Sequence, residues 1–225
     1  MARFDRLHVY NTVLQTGMVP LYYHPQVDVT CKIASALYDG KCKLLEFTNR
    51  GDFASDVFRI LLHHVRQECP SMILGVGSIE DAPTAALFLA SGADFIVGPT
   101  FNEEIARLCN RRKIAYIPGC STVNEIATAE GWGAEIVKVF PGEAVGGPSF
   151  VKSLLGPRPW STIMVTGGVK TSEDNLRAWF EAGTAAVGLG SSLIRQDMID
   201  NGAFDLLTSE TANVAQFIRT LIDNR

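Results

Sequence analysis

The chain has few of the features that mark disulfide-stabilised, membrane-spanning or nucleic-acid-binding proteins. Its five cysteines are odd in number and scattered without a CxxC spacing, which argues against a disulfide framework or a zinc knuckle. Weakly polar stretches such as Ala182 to Ile194 are too short and too rich in Gly and Ser to cross a bilayer. Twenty basic and twenty-four acidic residues give a formal charge of -4 with no basic block, so no polyanionic partner is expected.

The first residues also lack the apolar core of a signal peptide, because charged side chains come early, at Arg3, Asp5 and Arg6. Apolar residues instead recur at helical spacing. They are Phe4, Leu7, Tyr10, Val13 and Leu14. This pattern predicts an amphipathic N-terminal helix over 1–16 and a cytoplasmic protein.

What the chain does have is a regular alternation of short apolar runs and longer amphipathic ones. With 225 residues, 47% of them hydrophobic, and no break in composition, it is expected to form a single domain over 1–225. Eight runs read as strands, with centres roughly 20 to 28 residues apart, the spacing of a βα repeat. These runs are Met18 to Tyr22, Lys43 to Thr48, Ser71 to Val76, Asp94 to Gly98, Ile114 to Ile117, Glu135 to Phe140, Thr162 to Thr166 and Ala185 to Gly188. Eight such units favour an α/β fold of the TIM (β/α)8 barrel type over an open sheet, which stays the alternative.

Two strands carry charged residues where a parallel barrel has no solvated face. If Val137 and Val139 pack on helices, the alternation of a strand directs Lys138 into the barrel. The same parity in the second strand directs Glu46 and Arg50 inward or to the mouth. These residues lie near the carboxyl ends of the strands, where barrel enzymes keep their active sites.

The residues alone leave two interpretations of these charges open. Glu46 and Lys138 can form a buried structural ion pair, although such pairs are weak evidence for stability. Alternatively, Lys138 is a nucleophile whose pKa is depressed by an apolar wall that includes Phe140 and by the nearby guanidinium of Arg50.

Glycine-rich turns follow the last two strands and suggest a phosphate site. Gly167 and Gly168 follow the seventh strand, and Gly190 with Ser191 follows the eighth. Loops at these two places, with the start of a short extra helix, are the usual phosphate site of this barrel class. Ser191 is expected to add a hydroxyl at that helix start.

With these positions assigned, the chain resembles the 2-keto-3-deoxy-6-phosphogluconate / 4-hydroxy-2-oxoglutarate aldolase family, from about Gln15 to about Leu193. The resemblance is carried by motifs in matching order and spacing. They are LEFTNR at 45–50, GVGSI at 75–79, IPGCSTVNE at 117–125, VKVFPGE at 137–143 and VTGG at 165–168. The departures from the family pattern, such as Val139, Val165 and Ser78, remove no group that the chemistry needs.

The resemblance implies a class I aldolase of carbohydrate metabolism, as in the Entner–Doudoroff pathway. Lys138 then matches the Schiff-base lysine and Glu46 the general acid/base. The residues that would bind substrate are Arg50, Ser78, Thr166, Gly167, Gly168, Gly190, Ser191 and Phe140. The family implies pyruvate and a sugar-acid phosphate as small-molecule ligands, no metal or other cofactor, no nucleic-acid or membrane partner, and a homotrimer.

Two other functions stay open from the sequence. A phosphate-binding isomerase or epimerase on the same barrel would use Lys138 only to anchor a carboxylate. A non-catalytic sugar-phosphate sensor would keep the phosphate turns without the chemistry. Trapping of an imine on Lys138 separates the aldolase from both.

Overall fold

The computed structural model describes residues 2–224, and parallel strands alternating with helices run through this whole range. The predicted domain ends, Met1 and Arg225, lie outside the described residues. The strands are β1 (Met18–Tyr22), β2 (Leu44–Thr48), β3 (Ile73–Gly77), β4 (Phe95–Val97), β5 (Ala115–Ile117), β6 (Gly119–Cys120), β7 (Val137–Val139), β8 (Ile163–Val165) and β9 (Ala186–Leu189).

The strands close into a barrel through one interrupted strand. The hydrogen-bonded order is β5-β4-β3-β2-β1-β9-β8-β7-β6, with every pairing parallel. Only Pro118 separates β5 from β6, and proline has no N–H to give to a strand ladder. These two segments are therefore one interrupted strand: its first part, β5, pairs with β4, and its second part, β6, pairs with β7. The predicted (β/α)8 barrel is confirmed, although the apolar pattern did not indicate that the fifth strand continues past Pro118.

Helices cover the outside of the barrel. They are α1 (Arg6–Thr16), α2 (Val27–Asp39), α3 (Ala54–Glu68), α4 (Ala82–Ser91), α5 (Glu103–Arg112), α6 (Val123–Gly131), α7 (Gly147–Leu155), α8 (Glu173–Glu181), α9 (Gln196–Asp200) and α10 (Phe204–Asp223). Local sequence sets several starts: Thr122 and Glu125 form a reciprocal capping box at α6. No helix within residues 2–224 is both long enough and apolar enough to span a membrane.

Alternate strand residues divide the core into two layers. Leu45, Phe47, Val137 and Val139 belong to the larger layer between strands and helices. A second cluster fills the inside of the barrel, and its members come from most of the strands and from α1. It contains Val9, Tyr10, Val13, Val19, Leu44, Ile73, Phe95, Val97, Ala115, Ile117, Ile136, Met164 and Ala186.

The N-terminal helix closes the amino-terminal end of this interior cluster. Asp5 caps α1 by accepting a hydrogen bond from the His8 N–H, and Tyr10 and Val13 are buried against the barrel. The expected apolar stripe is only partly buried, because Leu7 is 69% exposed and Leu14 is 40% exposed. The helix therefore covers the bottom of the barrel with a narrower face than its sequence indicated.

Candidate active site at the carboxyl end of the barrel

Lys138 and Glu46 both project into the barrel from the inner faces of their strands. Lys138 lies between Val137 and Val139, whose side chains belong to the outer layer, and Glu46 lies between Leu45 and Phe47 in the same way. Their side chains are almost fully buried, at 5% and 3% exposure. The orientation predicted from strand parity therefore agrees with the structure.

Burial pushes both groups toward their neutral forms. Desolvation lowers the pKa of Lys138 and the Arg50 guanidinium adds to this, while the Glu46 carboxylate opposes it. Desolvation likewise raises the pKa of Glu46, against the attraction of Lys138 and Arg50. None of the ion pairs found within residues 2–224 joins the two side chains. The simple structural ion pair that the sequence left open is not formed.

Gly77 fixes where the Glu46 carboxylate lies. Gly77 ends β3 beside the end of β2, and a Cβ added to it would overlap Oε1 of Glu46. Gly75, on the same inner face, leaves room for the ring of Phe95 beneath. The two glycines thus let a carboxylate rest directly against the neighbouring strand, with an aromatic floor below it.

Arg50 and Ser78 meet at the rim of the barrel, on the loops after β2 and β3. The Arg50 Nε–H donates to Ser78 Oγ at 3.2 Å, and the guanidinium is exposed. Ser78 has a φ of 58°, in the left-handed region, so its hydroxyl leaves the strand direction and turns toward this rim. The pair presents donors suited to a carboxylate at the side of the mouth next to Glu46.

Three buried oxygens at this end have no hydrogen-bond partner within residues 2–224. They are Oε2 of Glu46, Oγ1 of Thr48 and Oγ1 of Thr166. Buried polar groups in native proteins are nearly always hydrogen-bonded, so each unpaired one needs an explanation. Their position together, at the carboxyl ends of β2 and β8, is what a polar ligand inside the mouth would require.

The glycine turns lie where the sequence places them, after β8 and β9. Gly167 and Gly168 have φ values of 92° and 85°, which a residue with a side chain rarely adopts, and Gly168 is exposed. The Ser192 hydroxyl donates to the Val169 carbonyl at 2.9 Å and ties the two loops together. The backbone of these loops is therefore open to an anion.

The expected role of Ser191 at a helix start is wrong in its local geometry. The Gly190 carbonyl accepts the N–H groups of Leu193 and Ile194, which makes a separate turn, and α9 begins only at Gln196. Ser191 is exposed on that turn, so its hydroxyl faces the solvent side of the mouth rather than the first turn of α9.

Phe140 and Cys120 flank Lys138. The Lys138 ammonium nitrogen lies 5.1 Å from the centre of the Phe140 ring, so this half-buried ring forms part of the lysine's apolar wall. Cys120 belongs to the outer layer, and burial raises the pKa of its thiol to about 12. Cys120 is thus a packing residue at the mouth.

His63 and His64 lie next to each other on α3. His64 is hydrogen-bonded to Ser35 at 2.8 Å on the outer face of the barrel, and His63 is exposed. Within residues 2–224, no group of three His, Cys, Asp or Glu side chains is arranged to hold a metal ion.

Comparison with known proteins agrees with this geometry. A family model for the KDPG and KHG aldolases matches residues 9–209, which is most of the chain. This chain belongs to the KDPG and KHG aldolase family. It is an aldolase, an enzyme that cleaves a carbon–carbon bond.

Relatives of the aldolase match along nearly its whole length. The 2-dehydro-3-deoxy-phosphogluconate aldolase of Haemophilus influenzae is 29% identical over 206 residues, covering 92% of this chain and 91% of the relative. The KHG/KDPG aldolase of Escherichia coli K12 is 29% identical over 198 residues, with 88% and 90% covered. A KDPG aldolase structure from Legionella pneumophila, holding pyruvate as a covalent carbinolamine, superimposes with a TM-score of 0.82 at 25% identity, covering 90% and 96%.

Sequence reasoning did not single out two residues that the structure places at the candidate site. Gly77 was part of a recognised motif, but nothing in the pattern of β3 showed that a carboxylate from β2 occupies its side-chain space. Thr48 shares the inward parity of Glu46, and this signal was available, yet a lone threonine at a strand end is too common to single out.

Proposed function

We propose that the enzyme is a Schiff-base aldolase that cleaves 2-keto-3-deoxy-6-phosphogluconate or a closely related 2-keto-3-deoxy acid. The observation that carries the proposal is the pair of Lys138 and Glu46, both buried inside the mouth with pKa values shifted toward the neutral forms. An uncharged amine is the nucleophile that such a reaction needs, and a protonated carboxyl is a ready acid.

The reaction begins with an attack of Lys138 on the substrate. The neutral amine adds to the C2 keto carbon to give a carbinolamine, and Glu46 donates the proton with which water leaves. The product is an iminium that draws electrons from the neighbouring bonds. No metal ion is needed for this step, because the iminium polarises the carbon as a divalent cation does in other aldolases.

The carbon–carbon bond then breaks between C3 and C4. The Glu46 carboxylate takes the proton of the C4 hydroxyl, directly or through a water molecule, C4 becomes an aldehyde carbon, and the bonding electrons pass into the iminium to form an enamine. Glyceraldehyde 3-phosphate departs. Protonation at C3 and hydrolysis of the imine release pyruvate and free Lys138.

Two anchors hold the substrate across the scissile bond. Arg50 and Ser78, hydrogen-bonded at the rim, suit the carboxylate end, and the Phe140 ring, centred 5.1 Å from Nζ of Lys138, is placed to flank the carbons that react there. At the other end, Thr166 and the glycine turns suit the phosphate. This second set comprises Gly167, Gly168, Gly190 and Ser191. Fixing both ends orients C3–C4 over Lys138.

Borohydride trapping tests the proposal. Reduction in the presence of pyruvate is expected to leave a stable adduct on Lys138, detected by peptide mass spectrometry. The Lys138→Met variant should form no adduct and lose cleavage by at least about 10⁴-fold, a typical cost for removing a nucleophile. Lys152→Met, which changes an exposed lysine on α7, should behave as the wild type. Trapping on another lysine, or loss of activity on chelation, would contradict the mechanism.

Substrate preference is tested by pyruvate release. The glycine turns support a phosphorylated substrate, so kcat/KM should be higher for the 6-phosphorylated keto acids than for 4-hydroxy-2-oxoglutarate. In a Gly168→Ala variant the new Cβ would overlap the Glu143 side chain and disturb the turn. The ratio of kcat/KM for the phosphorylated substrate to that for 4-hydroxy-2-oxoglutarate should therefore fall. Equal loss on both substrates would place the turn outside the phosphate site.

We further propose that the enzyme assembles as a homotrimer, as the family resemblance implies. Several large apolar side chains are exposed on the single chain, among them Phe53 at 77%, Leu87 at 52% and Ile60 at 49%. Light scattering is expected to give three times the chain mass of 24.5 kDa. A monomer mass would contradict the assembly without touching the chemistry.

A further inference from the structure

The hydroxyl of Thr48 is a buried polar group at the mouth whose role the proposed mechanism does not explain. Thr48 is the last residue of β2 and its side chain is fully buried. Its Oγ1 atom has no hydrogen-bond partner within residues 2–224. A buried hydroxyl without a protein partner is tolerated where an ordered water or a ligand bonds to it.

Packing does not account for this hydroxyl. Leu45 and Phe47 fill the helix-facing side of β2, while Thr48 shares the inner face with Leu44 and Glu46. A valine at 48 has the same shape and would fill the space without burying an unpaired polar atom. The chain has a threonine there, so the hydroxyl itself needs a function.

The neighbour that the hydroxyl can serve is the Glu46 carboxylate. Thr48 is in register with Gly77 on β3, and Glu46 Oε1 occupies the place that a Cβ of Gly77 would take. Register-paired positions on adjacent parallel strands lie about 5 Å apart. The Thr48 side chain therefore lies about 5 Å from the carboxylate on the same inner face, close enough for one water molecule to bond both to Thr48 Oγ1 and to the carboxylate. Oε2 of Glu46 likewise has no hydrogen-bond partner in the part of the chain that the structure describes.

We propose that Thr48 is a positioning residue that holds a water molecule against the Glu46 carboxylate, and that this water relays the proton of the C4 hydroxyl. The inference rests on the proposed function. In the cleavage step the water gives one proton to Glu46 and takes the proton from the C4 hydroxyl, so it is regenerated. The C4 oxygen becomes the aldehyde oxygen, and the electrons of the C3–C4 bond pass into the iminium.

Two variants at one position test this inference. Thr48→Val removes the hydroxyl and keeps the shape, whereas Thr48→Ser keeps the hydroxyl. In Thr48→Val, kcat for cleavage should fall on the order of 10- to 100-fold, with KM changed by less than about 3-fold, because a proton relay is lost and the substrate anchors are intact. The rate of borohydride trapping of pyruvate on Lys138 should be unchanged. Thr48→Ser should retain kcat within about 3-fold.

Thermal unfolding distinguishes a relay from a structural role. The Tm of Thr48→Val should stay close to that of the wild type, since the side chain keeps its shape and loses only a hydrogen bond to a water molecule. A lowered Tm with equally slow Thr48→Val and Thr48→Ser enzymes would make Thr48 a packing residue and overturn the inference. Wild-type kcat in Thr48→Val, with normal trapping, would overturn the inference alone. Failure of the wild type to trap pyruvate would instead overturn the proposed function.

Discussion

Two buried polar side chains at the amino-terminal end of the barrel, Asp94 and Tyr10, are hydrogen-bonded within the protein, whereas three at the carboxyl-terminal end keep oxygens that are unpaired in the described part of the chain. At the amino-terminal end, the Asp94 carboxylate accepts the N–H groups of Arg3, Phe4 and Leu74, at 2.6, 3.2 and 3.1 Å. The Tyr10 hydroxyl there donates to the carbonyl of Tyr116 and accepts its N–H, at 3.1 and 3.0 Å. These groups are paired within the protein, and they fix α1 and the strand ends in place.

At the carboxyl-terminal end, the polar groups inside the mouth are buried without being paired. Glu46, Thr48 and Thr166 each keep an unpartnered oxygen, and Lys138 is buried with no ion pair among residues 2–224. Burying such groups lowers the stability of the native state, and it is tolerated where the groups bind and react. Asp94 and Tyr10 thus stabilise the fold, whereas the unpaired oxygens at the mouth are available to a ligand.

The largest effect that bears on this comparison is expected from Gly77→Ala. The new Cβ would overlap Glu46 Oε1 and push the carboxylate away from β3. A misplacement of about 1 Å in a catalytic group can cost about 100-fold, so kcat/KM for pyruvate release should fall by at least that factor.

A matched control is Gly131→Ala at the end of α6, where an added Cβ meets nothing within 4 Å. That variant should keep full activity. If Gly77→Ala were as active as the wild type, the position of the Glu46 carboxylate would not matter for turnover, and Glu46 would not be the acid/base group of the site.

Strand periodicity was sufficient to predict the barrel and the inward direction of its charges. All eight predicted strands are present, and the alternation of Val137, Lys138 and Val139 gave the correct inner face. Period-two alternation works here because both faces of a parallel strand are buried. The outer face packs against apolar helix side chains, so a charged residue within the run must lie on the inner face, toward the mouth of the barrel.

Contacts between elements distant in sequence could not be predicted in this way. The rotamer of Glu46 depends on the absence of a side chain at Gly77, and the turn at Ser191 depends on backbone bonds to Gly190. The exposure of Leu7 depends on how α1 crosses the barrel floor. Each is a property of packing between elements, which spacing along the chain does not encode.

A smaller effect, on stability alone, is expected at the other end from Tyr10→Phe. The change leaves the buried N–H and carbonyl of Tyr116 without their partner, which should lower the free energy of unfolding by about 1–3 kcal/mol. Denaturant unfolding measures the loss, and kcat should stay unchanged because the site lies at the opposite end.

Tyr38→Phe serves as the control for this variant. Its hydroxyl accepts one exposed hydrogen bond from Ser71, so its removal should change stability by less than about 0.5 kcal/mol. A loss of kcat in Tyr10→Phe, with stability preserved, would contradict the division of labour between the two ends.

The smallest effect is a pH dependence of stability that comes from the mouth. Burial lowers the pKa of Lys138 from its usual 10.5, so below that pH the unfolded chain binds a proton that the native state holds less tightly. Lys138 therefore lowers stability at neutral pH, and this cost disappears as the pH rises toward 10.5. Lys138→Met should be more stable than the wild type at pH 7, by a margin that shrinks as the pH approaches 10.

The raised pKa of Glu46 contributes a trend of the opposite direction, since its cost in stability grows as the pH rises above 4.5. Comparing Glu46→Gln with Glu46→Gln/Lys138→Met by thermal unfolding from pH 7 to 10 removes the carboxyl and isolates the lysine. A margin that stayed constant with pH would mean that Lys138 is charged in the native state, and that the mouth does not hold it as a free amine.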